Sequence, residues 1–329
     1  MELNTLVSIP EARFPFSYRD GIMLTGSCFA EEMGNKLRED KFTVDINPFG
    51  TLYNPASIAL SLRRLLQPTP FTASDLFERE GLYHSFAHHS RFSSPSAEEA
   101  LDGINRQLHL SSANLLKSSR LVVTFGTACV YRLKSSGQLV SNCHKLPEKM
   151  FERERLTADA IVNEWEALLL SLWERNPGLR ILFTVSPIRH RKDGAHPNQL
   201  SKAVLLLAVD ELQTRHPERT AYFPAYEIMM DELRDYRFYA DDMLHPSPLA
   251  VEYIRERFCR SFLSAESQTI LGEWQAIRKA IRHKPFQPAG ESYRQFIMQT
   301  LLKAERLSGK FPYFDLSEEI GLLRSKIKK

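Results

Sequence analysis

The chain has 329 residues, a formal net charge of +3, and hydrophobic and charged fractions of 43% and 25%, which are ordinary for a soluble globular protein. The charge balance gives no electrostatic indication of a nucleic-acid partner, and no stretch is long and apolar enough to span a bilayer. The first residues, MELN, lack the basic and apolar regions of a secretory signal. We therefore expect a cytoplasmic protein with its four cysteines reduced.

Short apolar runs alternate with amphipathic segments over most of the chain. The predicted strands cover residues 21–24, 42–46, 119–125, 180–185 and 221–223. The predicted helices cover residues 28–39, 56–66, 96–117, 156–174, 197–215, 224–234 and 248–263. A small hairpin is predicted from residues 129–132 and 138–141, and residues 67–94 are predicted as a loop. This alternation predicts a three-layer α/β/α sandwich with a mainly parallel sheet.

The pattern changes at about residue 264, beyond which no strand is predicted. Helical patterns cover residues 266–282, 290–307 and 315–328, and Pro285 and Pro288 separate the first two. We therefore predict an α/β domain over residues 1–263 and an α-helical C-terminal extension over residues 264–329. The extension could pack on the α/β domain, cover its site or mediate self-association, and the sequence leaves these alternatives open.

Gly26 and Ser27 lie where the first strand turns into the first helix. A helix start offers unpaired N–H groups, so a serine there could attack an acyl carbon while those groups bind the oxyanion. Serine is also a favoured helix N-cap, which is the alternative interpretation. Cys28 is a rival nucleophile, because a helix N-terminus ordinarily lowers the pKa of a thiol. We rank it below Ser27, since its side chain must point in another direction.

An acid and a base are three residues apart at Asp242 and His245, ahead of a predicted helix. At this spacing the carboxylate can accept a hydrogen bond from one imidazole nitrogen and leave the other free to act as a base. In the alternative interpretation, Asp242 and His245 have no catalytic role and only form a polar turn before the helix. Histidines also cluster at 84, 88 and 89, but no cysteine or acidic partner recurs at a regular interval, so we predict no metal and no cofactor.

The motifs together resemble the SGNH (GDSL-like) esterases in their order: Gly26-Ser27, a glycine at Gly50, a second glycine at Gly126, and a terminal DxxHPS. Residues 26–30 also match the name-giving motif of the GSCFA family, which resembles a branch of that superfamily. Residues 47–50 and 142–145 look like further family blocks. The resemblance covers roughly residues 20 to 260.

The resemblance implies a catalytic triad in which Ser27 is the nucleophile, His245 the general base and Asp242 its orienting partner. It also implies that the backbone N–H groups of Ser27 and Gly50 belong to the oxyanion hole.

The chain departs from the superfamily pattern in two places. The aspartate of the Gly-Asp-Ser motif is missing, and the Gly-x-Asn-Asp block would begin at Gly126, so that Ala128 replaces the oxyanion asparagine. Asn142 or His144 could supply a donor from the neighbouring loop, or both could be structural. Arg189, after another strand, could contact an anionic or sugar substrate or form a surface ion pair.

These features predict a serine hydrolase of acyl esters, with an O-acetylated carbohydrate as one candidate substrate. Acyl transfer to a sugar or cell-envelope precursor would use the same residues. A catalytically silent module that binds a glycan or peptide is the alternative from another class. The expected partner is a small-molecule or carbohydrate ester, with no nucleic acid and no membrane span, and the C-terminal helices offer a surface for oligomerisation.

Overall fold

The computed structural model describes residues 5–190, 192, 194–286 and 290–327. Its strands are β1 (Gly21–Gly26), β2 (Thr43–Ile46), β3 (Leu76–Arg79), β4 (Leu82–Ser85), β5 (Arg120–Phe125), β6 (Cys129–Leu133), β7 (Leu139–Val140), β8 (Phe151–Arg155), β9 (Arg180–Val185) and β10 (Thr220–Phe223). Its α-helices are α1 (Cys28–Glu39), α2 (Pro55–Leu66), α3 (Ala97–Lys117), α4 (Ala158–Arg175), α5 (Ala195–Arg215), α6 (Ala225–Glu227), α7 (Pro248–Phe262), α8 (Ala265–Arg282), α9 (Glu291–Lys310) and α10 (Ser317–Ile327).

Five strands form a parallel sheet in the order β10-β9-β5-β1-β2. The three inner strands β9, β5 and β1 are buried on both faces, since successive side chains point to opposite sides and nearly all of them are buried. In β5, Leu121 and Val123 enter the core shared with α2, α3, α4 and α5, whereas Val122 enters the core shared with α1 and α7. The predicted three-layer α/β sandwich is therefore confirmed.

Two small antiparallel sheets were only partly predicted. The hairpin of β6 and β7 is present, and β8 joins it on the other side of β6. β8 was missed because only Phe151 of its five residues is buried, so it carries no apolar pattern. β3 and β4 form a hairpin within residues 67–94, which we predicted as a loop.

The helix predicted over residues 224–234 is only partly an α-helix. The α-helical part, α6, is short and continues into a π-helical turn at Ile228–Glu232. None of the helices in the described ranges is long and apolar enough to cross a membrane.

The C-terminal extension packs on the α1 and α7 side of the sheet. Trp274 of α8, Ile297 of α9 and Leu323 of α10 are buried in the same core cluster as Leu24 of β1 and Phe258 of α7. Packing on the α/β domain, one of the three alternatives that the sequence left open, is therefore present. Pro285 follows α8, as predicted, whereas Pro288 lies outside the described residues.

Candidate active site

The loops that follow β1, β2, β5 and β9 meet at the carboxyl ends of the strands, where open α/β sheets bind ligands. A cavity of about 850 Å³ opens there. Its polar lining includes Ser27, Cys28, Asn54, Thr127 and His245. The three-stranded sheet of β6, β7 and β8 supplies part of one wall.

The turn between β1 and α1 is held by its backbone. Gly26 has a φ of 138°, and a Cβ there would lie 2.2 Å from the Thr124 carbonyl oxygen, so only glycine fits. Its N–H donates to Oδ1 of Asn47 (2.9 Å), and the N–H of Ser27 donates to the Thr124 oxygen (3.2 Å). These bonds set where the next side chains project.

Ser27 occupies the N-cap position of α1, yet its side chain makes no capping hydrogen bond. The residue is 1% exposed, and its Oγ has no hydrogen-bond partner in the described part of the chain. His245 is therefore not within hydrogen-bond reach of Ser27 in this structure. The predicted role of Ser27 as nucleophile stays a prediction.

Asp242 and His245 are hydrogen-bonded through Oδ2 and Nδ1 at 2.5 Å. The other carboxylate oxygen, Oδ1, accepts the N–H groups of Leu244 and His245, both at 2.9 Å. These backbone bonds, followed by the bond from the imidazole, lower the pKa of Asp242 to about 2. A left-handed residue, Met243 (φ 60°), closes the turn. The carboxylate therefore stays ionised and orients the imidazole.

Cys28 is the residue that the folded chain places against His245. Its Sγ lies 3.7 Å from Nε2 of His245, within the range of a sulfur hydrogen bond. Cys28 is the first residue of α1, partly exposed, and lines the cavity. Burial raises the pKa of its thiol, although the N–H groups of Cys28 and Phe29 act in the opposite direction. The lowered pKa expected at a helix start is thus wrong here, because desolvation outweighs the helix N-terminus.

The predicted oxyanion donors are already engaged. The N–H of Ser27 donates to Thr124, and the N–H of Gly50 donates to the carbonyl of Asn47 at 2.7 Å. Gly50 instead has a packing role: its φ is 78°, and a Cβ would lie 2.2 Å from the Cβ of His89. This differs from the role that the resemblance implied, because a bonded N–H cannot also bind an oxyanion without rearrangement.

The backbone N–H groups of the loop after β5, where the superfamily carries its asparagine, also have acceptors within the protein. The N–H groups of Gly126 and Thr127 both donate to the carbonyl of Tyr53 (2.8 and 2.9 Å), and that of Ala128 donates to Oγ of Ser201 (2.7 Å). A Cβ on Gly126 would lie 2.9 Å from the Tyr53 oxygen and 3.5 Å from the Cβ of Ser27. Gly126 therefore permits close packing beside Ser27, and its N–H is already bonded to Tyr53 rather than free for an oxyanion.

Asn54 is a cavity residue that we did not predict. It is 5% exposed and caps α2, with its Oδ1 accepting the N–H of Ser57 at 2.8 Å. That bond engages Oδ1 and leaves the amide nitrogen Nδ2 as the donor that the side chain can offer to the cavity it lines. The sequence signal was present as an Asn-Pro pair at a helix start, but it predicted only a turn and a helix N-terminus.

Lys202 of α5 was also missed. It is fully buried, and its Nζ donates to the carbonyl oxygens of Gly126 and Ser186, both at 2.7 Å. Burial lowers the pKa of its ammonium group to about 7. Lys202 thereby joins the loops after β5 and β9. A lysine in an amphipathic helix is ordinarily assigned to the solvent face, so no sequence signal marked it.

The remaining predicted residues have mainly structural contacts. Asn142 lines the cavity, and its Oδ1 accepts the N–H of His144 at 2.9 Å. His144 is buried, with Nε2 2.9 Å from the carbonyl of Ser85, and burial lowers its pKa. Arg189 lines the cavity and donates to the carbonyl of Met243 at 2.7 Å, so it holds the turn that carries Asp242 and His245.

Two family models match the chain: the GSCFA family over residues 21–258, and the C-terminal domain of GSCFA domain proteins over residues 274–329. No curated protein matches it.

Three solved structures are distantly similar. A Streptococcus pneumonia protein, described as a candidate platelet activating factor, has 13% identity and a TM-score of 0.38 over 73% of this chain and 83% of that one. A family 3 carbohydrate esterase of Clostridium thermocellum has 10% identity and a TM-score of 0.33 over 78% and 98%. The acetyl xylan esterase Est2A of Butyrivibrio proteoclasticus has 10% identity and a TM-score of 0.36 over 74% and 65%. At these scores, activity has to be argued from the site itself.

Proposed function

The chain belongs to the GSCFA family, and on that premise we propose that it is an acyl-ester hydrolase acting through a covalent acyl-enzyme. The observation that carries this proposal is the alignment of three side chains, two of which, Cys28 and His245, line the cavity. His245 is oriented by Asp242 through Nδ1 (2.5 Å) and presents Nε2 to the thiol of Cys28 (3.7 Å). A nucleophile, a base and an acceptor that orients the base are the three parts that nucleophilic acyl transfer requires.

We place the nucleophile at Cys28 rather than at Ser27. Both residues line the cavity, but Cys28 is the one whose side chain contacts the base, whereas Oγ of Ser27 is buried and without a partner in the described part of the chain. The raised pKa of the thiol keeps it protonated at neutral pH, so it needs His245 to remove its proton.

The reaction follows from these positions. Nε2 of His245 accepts the thiol proton as sulfur attacks the ester carbonyl, and Asp242 stabilises the imidazolium. The tetrahedral intermediate collapses when the C–O bond breaks and the leaving alkoxide takes the proton back from His245. Water, deprotonated by the same imidazole, then attacks the thioester and releases the acid and the free thiol.

The oxyanion is bound by donors other than those predicted. The N–H of Cys28 belongs to the first turn of α1, where backbone donors have no intrahelical acceptor. The second donor is the side-chain amide of Asn54, which Ala128 cannot supply; Asn54 lines the same cavity as Cys28, and its Oδ1 is engaged in the capping bond. Each such donor contributes to the oxyanion only when charge develops.

The test is a set of single alanine variants assayed on short acyl esters. We expect Cys28→Ala and His245→Ala to lower kcat/KM by about 10³-fold or more, because each removes a group that acts in every turnover. Ser27→Ala should stay within about tenfold of the wild type, since no step passes through its Oγ. Cys129→Ala, which removes another thiol lining the cavity, is the matched control.

Two results would contradict this assignment in different ways. Loss of activity in Ser27→Ala with full activity in Cys28→Ala would return the nucleophile to Ser27. Full activity in both variants and in His245→Ala would overturn the proposed hydrolase.

Mass spectrometry of the trapped acyl-enzyme identifies the bond directly, since hydroxylamine at neutral pH cleaves a thioester readily and a serine ester slowly. Adding acceptor alcohols to the same assay and looking for an acylated acceptor distinguishes transfer from hydrolysis.

A further inference from the structure

We propose that the substrate of this cavity carries an unbranched acyl chain longer than acetyl, which lies against an apolar wall. We define the apolar wall as Tyr131, Val140, Leu146 and Phe151, all of which line the cavity. This inference rests on the proposed function, because it names the acyl group that the same site accepts. An acetyl group would leave most of a cavity of about 850 Å³ empty, a volume typical of sites for much larger ligands.

Three of the wall residues belong to one face of the three-stranded sheet. The strand register places Tyr131 of β6 opposite both Val140 of β7 and Arg153 of β8. Phe151 is two residues before Arg153 on the same strand, and side chains alternate along a strand, so it faces the same side. All four line the cavity, whereas Leu139, which points to the other face, is not among the described lining residues. The sheet therefore presents one continuous face to the cavity.

This face is largely apolar. Val140 and Phe151 are buried, and Tyr131 and Leu146 are partly exposed. The charged member of the face, Arg153, is exposed, and its guanidinium lies 5.5 Å from the centroid of the Tyr131 ring. An acyl chain lying on the apolar wall would remove its remaining exposed apolar surface from water, which is favourable in proportion to the area.

The loop after β7, which carries Leu146, is held in place by its neighbours. The N–H of Ser141 donates to the carbonyl of Phe86 at 2.8 Å. In the same loop, Nε2 of His144 lies 2.9 Å from the carbonyl of Ser85, and both groups are buried. The wall is thus formed before the substrate binds, so a chain that fits it loses little free energy in ordering the loop.

The apolar wall and the base approach Cys28 from opposite faces of the main sheet. His245 precedes α7, which packs in the core on the α1 side. Ala128 and Leu156, at the two ends of the segment that forms β6, β7 and β8, both pack in the core on the other side, and the N–H of Leu156 donates to the carbonyl of Ala128 at 2.9 Å. β7 also contacts α2. The wall therefore lies on the α2 and α4 side.

The position of the base decides which half of the ester meets the wall. His245 returns its proton to the leaving alkoxide, so the alcohol half of the ester must lie on the His245 side. The acyl chain is bonded to the carbon that Cys28 attacks and is left with the opposite side, where the wall lies. The wall is therefore assigned to the acyl chain and not to the leaving alcohol.

The first test compares p-nitrophenyl acetate with p-nitrophenyl hexanoate, which share a leaving group. After correction for their hydroxide-catalysed rates, we expect the wild type to favour the hexanoate by at least about tenfold in kcat/KM, because each buried methylene contributes about fourfold. Tyr131→Ser/Leu146→Ser should lower this hexanoate-to-acetate ratio by at least about fivefold, because it removes apolar surface from the wall. The ratio is measured within one protein, so a loss of active enzyme cancels.

The matched control is Leu133→Ser/Leu139→Ser. Both leucines are partly exposed in the same three-stranded sheet, and neither is among the described residues that line the cavity. Its ratio should stay near that of the wild type. Leu146→Ser alone changes only a loop residue and should lower the ratio by at least about twofold. A wild type that does not favour the hexanoate, or an equal fall in both double variants, would overturn the proposal.

The second test varies the alcohol and keeps the acetyl group, with ethyl acetate and hexyl acetate. We expect a smaller gain from ethyl to hexyl than from acetyl to hexanoyl, and the same gain in the wild type and in Tyr131→Ser/Leu146→Ser. A gain from the longer alcohol that this double variant abolishes would place the leaving alcohol on the wall and overturn the assignment to the acyl chain.

The third test does not depend on turnover and uses hexanamide and acetamide, neither of which is an ester. Each amide is added while iodoacetamide alkylates Cys28, and the alkylation is followed by mass spectrometry of the Cys28 peptide. We expect hexanamide to protect the thiol at concentrations at least about tenfold lower than acetamide, because its chain covers the wall. The difference should disappear in Tyr131→Ser/Leu146→Ser and persist in the control.

The two proposals fail in different ways. Cys28-dependent hydrolysis without a gain from the longer acyl chain would leave the proposed function standing and overturn the apolar wall as the acyl site. Absence of Cys28-dependent hydrolysis of both p-nitrophenyl esters would overturn the proposed function, and protection by the two amides would still decide whether the wall binds an acyl chain.

Discussion

Lys202 is a cation buried within the α/β core, and carbonyl oxygens are its hydrogen-bond acceptors. Its ammonium group loses its hydration, and the two bonds to Gly126 and Ser186 only partly replace it, so burial lowers its pKa from 10.5 to about 7. The bonds place Lys202 beneath the loops after β5 and β9, which form the edge of the cavity. The edge of the cavity is therefore held by the ammonium group of Lys202, whose charge depends on pH.

The pH dependence of stability should reveal this group. Because its pKa is lower in the folded than in the unfolded chain, unfolding takes up a proton between about pH 7 and 10.5. The free energy of unfolding contributed by Lys202 therefore rises with pH across that window, by at most about 1.4 kcal/mol per unit, and is constant below it. Urea unfolding of wild type and Lys202→Met at several pH values measures the difference.

The comparison with Lys202→Met isolates the group from all other titrating residues. Lys149→Met removes an exposed lysine and serves as the control. If the curves of wild type and Lys202→Met run parallel from pH 7 to 10, the lowered pKa is wrong.

At the scale of elements, the loop between β2 and α2 determines the geometry of the site. Asn47 accepts the N–H of Gly26, and the N–H of Leu52 donates to the carbonyl of Gly26 at 2.9 Å, so the loop is bonded to both backbone polar groups of the last residue of β1. Tyr53 then accepts two N–H groups from the loop after β5. Asn54 follows directly and is thereby held beside the β1–α1 turn.

Substitutions at Asn54 can separate its capping role from its proposed catalytic role. Asn54→Asp keeps an oxygen for the N–H of Ser57 but removes the amide donor, whereas Asn54→Ala removes both. We expect Asn54→Ala to lose about 1 kcal/mol of unfolding free energy and Asn54→Asp to lose little. Both should slow acyl-enzyme formation by about 10²- to 10³-fold, measured in single-turnover experiments.

Asn142→Asp is the matched control, because it adds the same negative charge to the cavity lining while keeping the oxygen that accepts the N–H of His144. Acylation by Asn54→Asp at the wild-type rate, or an equal slowing in Asn142→Asp, would exclude Asn54 as the oxyanion donor.

At the scale of the whole molecule, the C-terminal extension shares its core with the sheet. Leu307 of α9 is fully buried in the cluster that contains Leu24 and Phe258. Lys41, which follows α1, also forms an ion pair with Glu319 of α10 at 3.0 Å. We propose that the α/β domain (residues 1–263) and the helical extension (residues 264–329) are distinct along the chain but unfold together in one cooperative transition.

Leucine-to-alanine substitutions within α9 test this coupling. Leu307→Ala should lower the free energy of unfolding by about 2–5 kcal/mol, because it opens a cavity in the shared core. Leu302→Ala, on the same helix but 60% exposed, should change it by less than about 0.5 kcal/mol. Far-UV circular dichroism and tryptophan fluorescence, recorded during urea unfolding, should give one shared transition. A separate early transition for the helical part in Leu307→Ala would contradict the coupling.

Local patterns were sufficient to predict much of the fold. Helix α1 spans the predicted residues 28–39, and the apolar run that ends at Phe125 forms the central strand β5 as expected, because helix periodicity and buried-strand composition are properties of neighbouring residues. β8 could not be predicted in this way. Its pairing with β6 supplies backbone hydrogen bonds, while four of its five side chains face solvent and carry no pattern.

The sequence by itself determined the turn in which Asp242 orients His245, since three residues of spacing and two backbone N–H groups are enough to build it. Only the tertiary structure decided what the imidazole faces. Cys28 is 217 residues away along the chain, and it is adjacent to Ser27, so no local signal could choose between them. The choice depends on the direction in which each side chain leaves the start of α1 and on where the packing of α7 and the sheet brings His245.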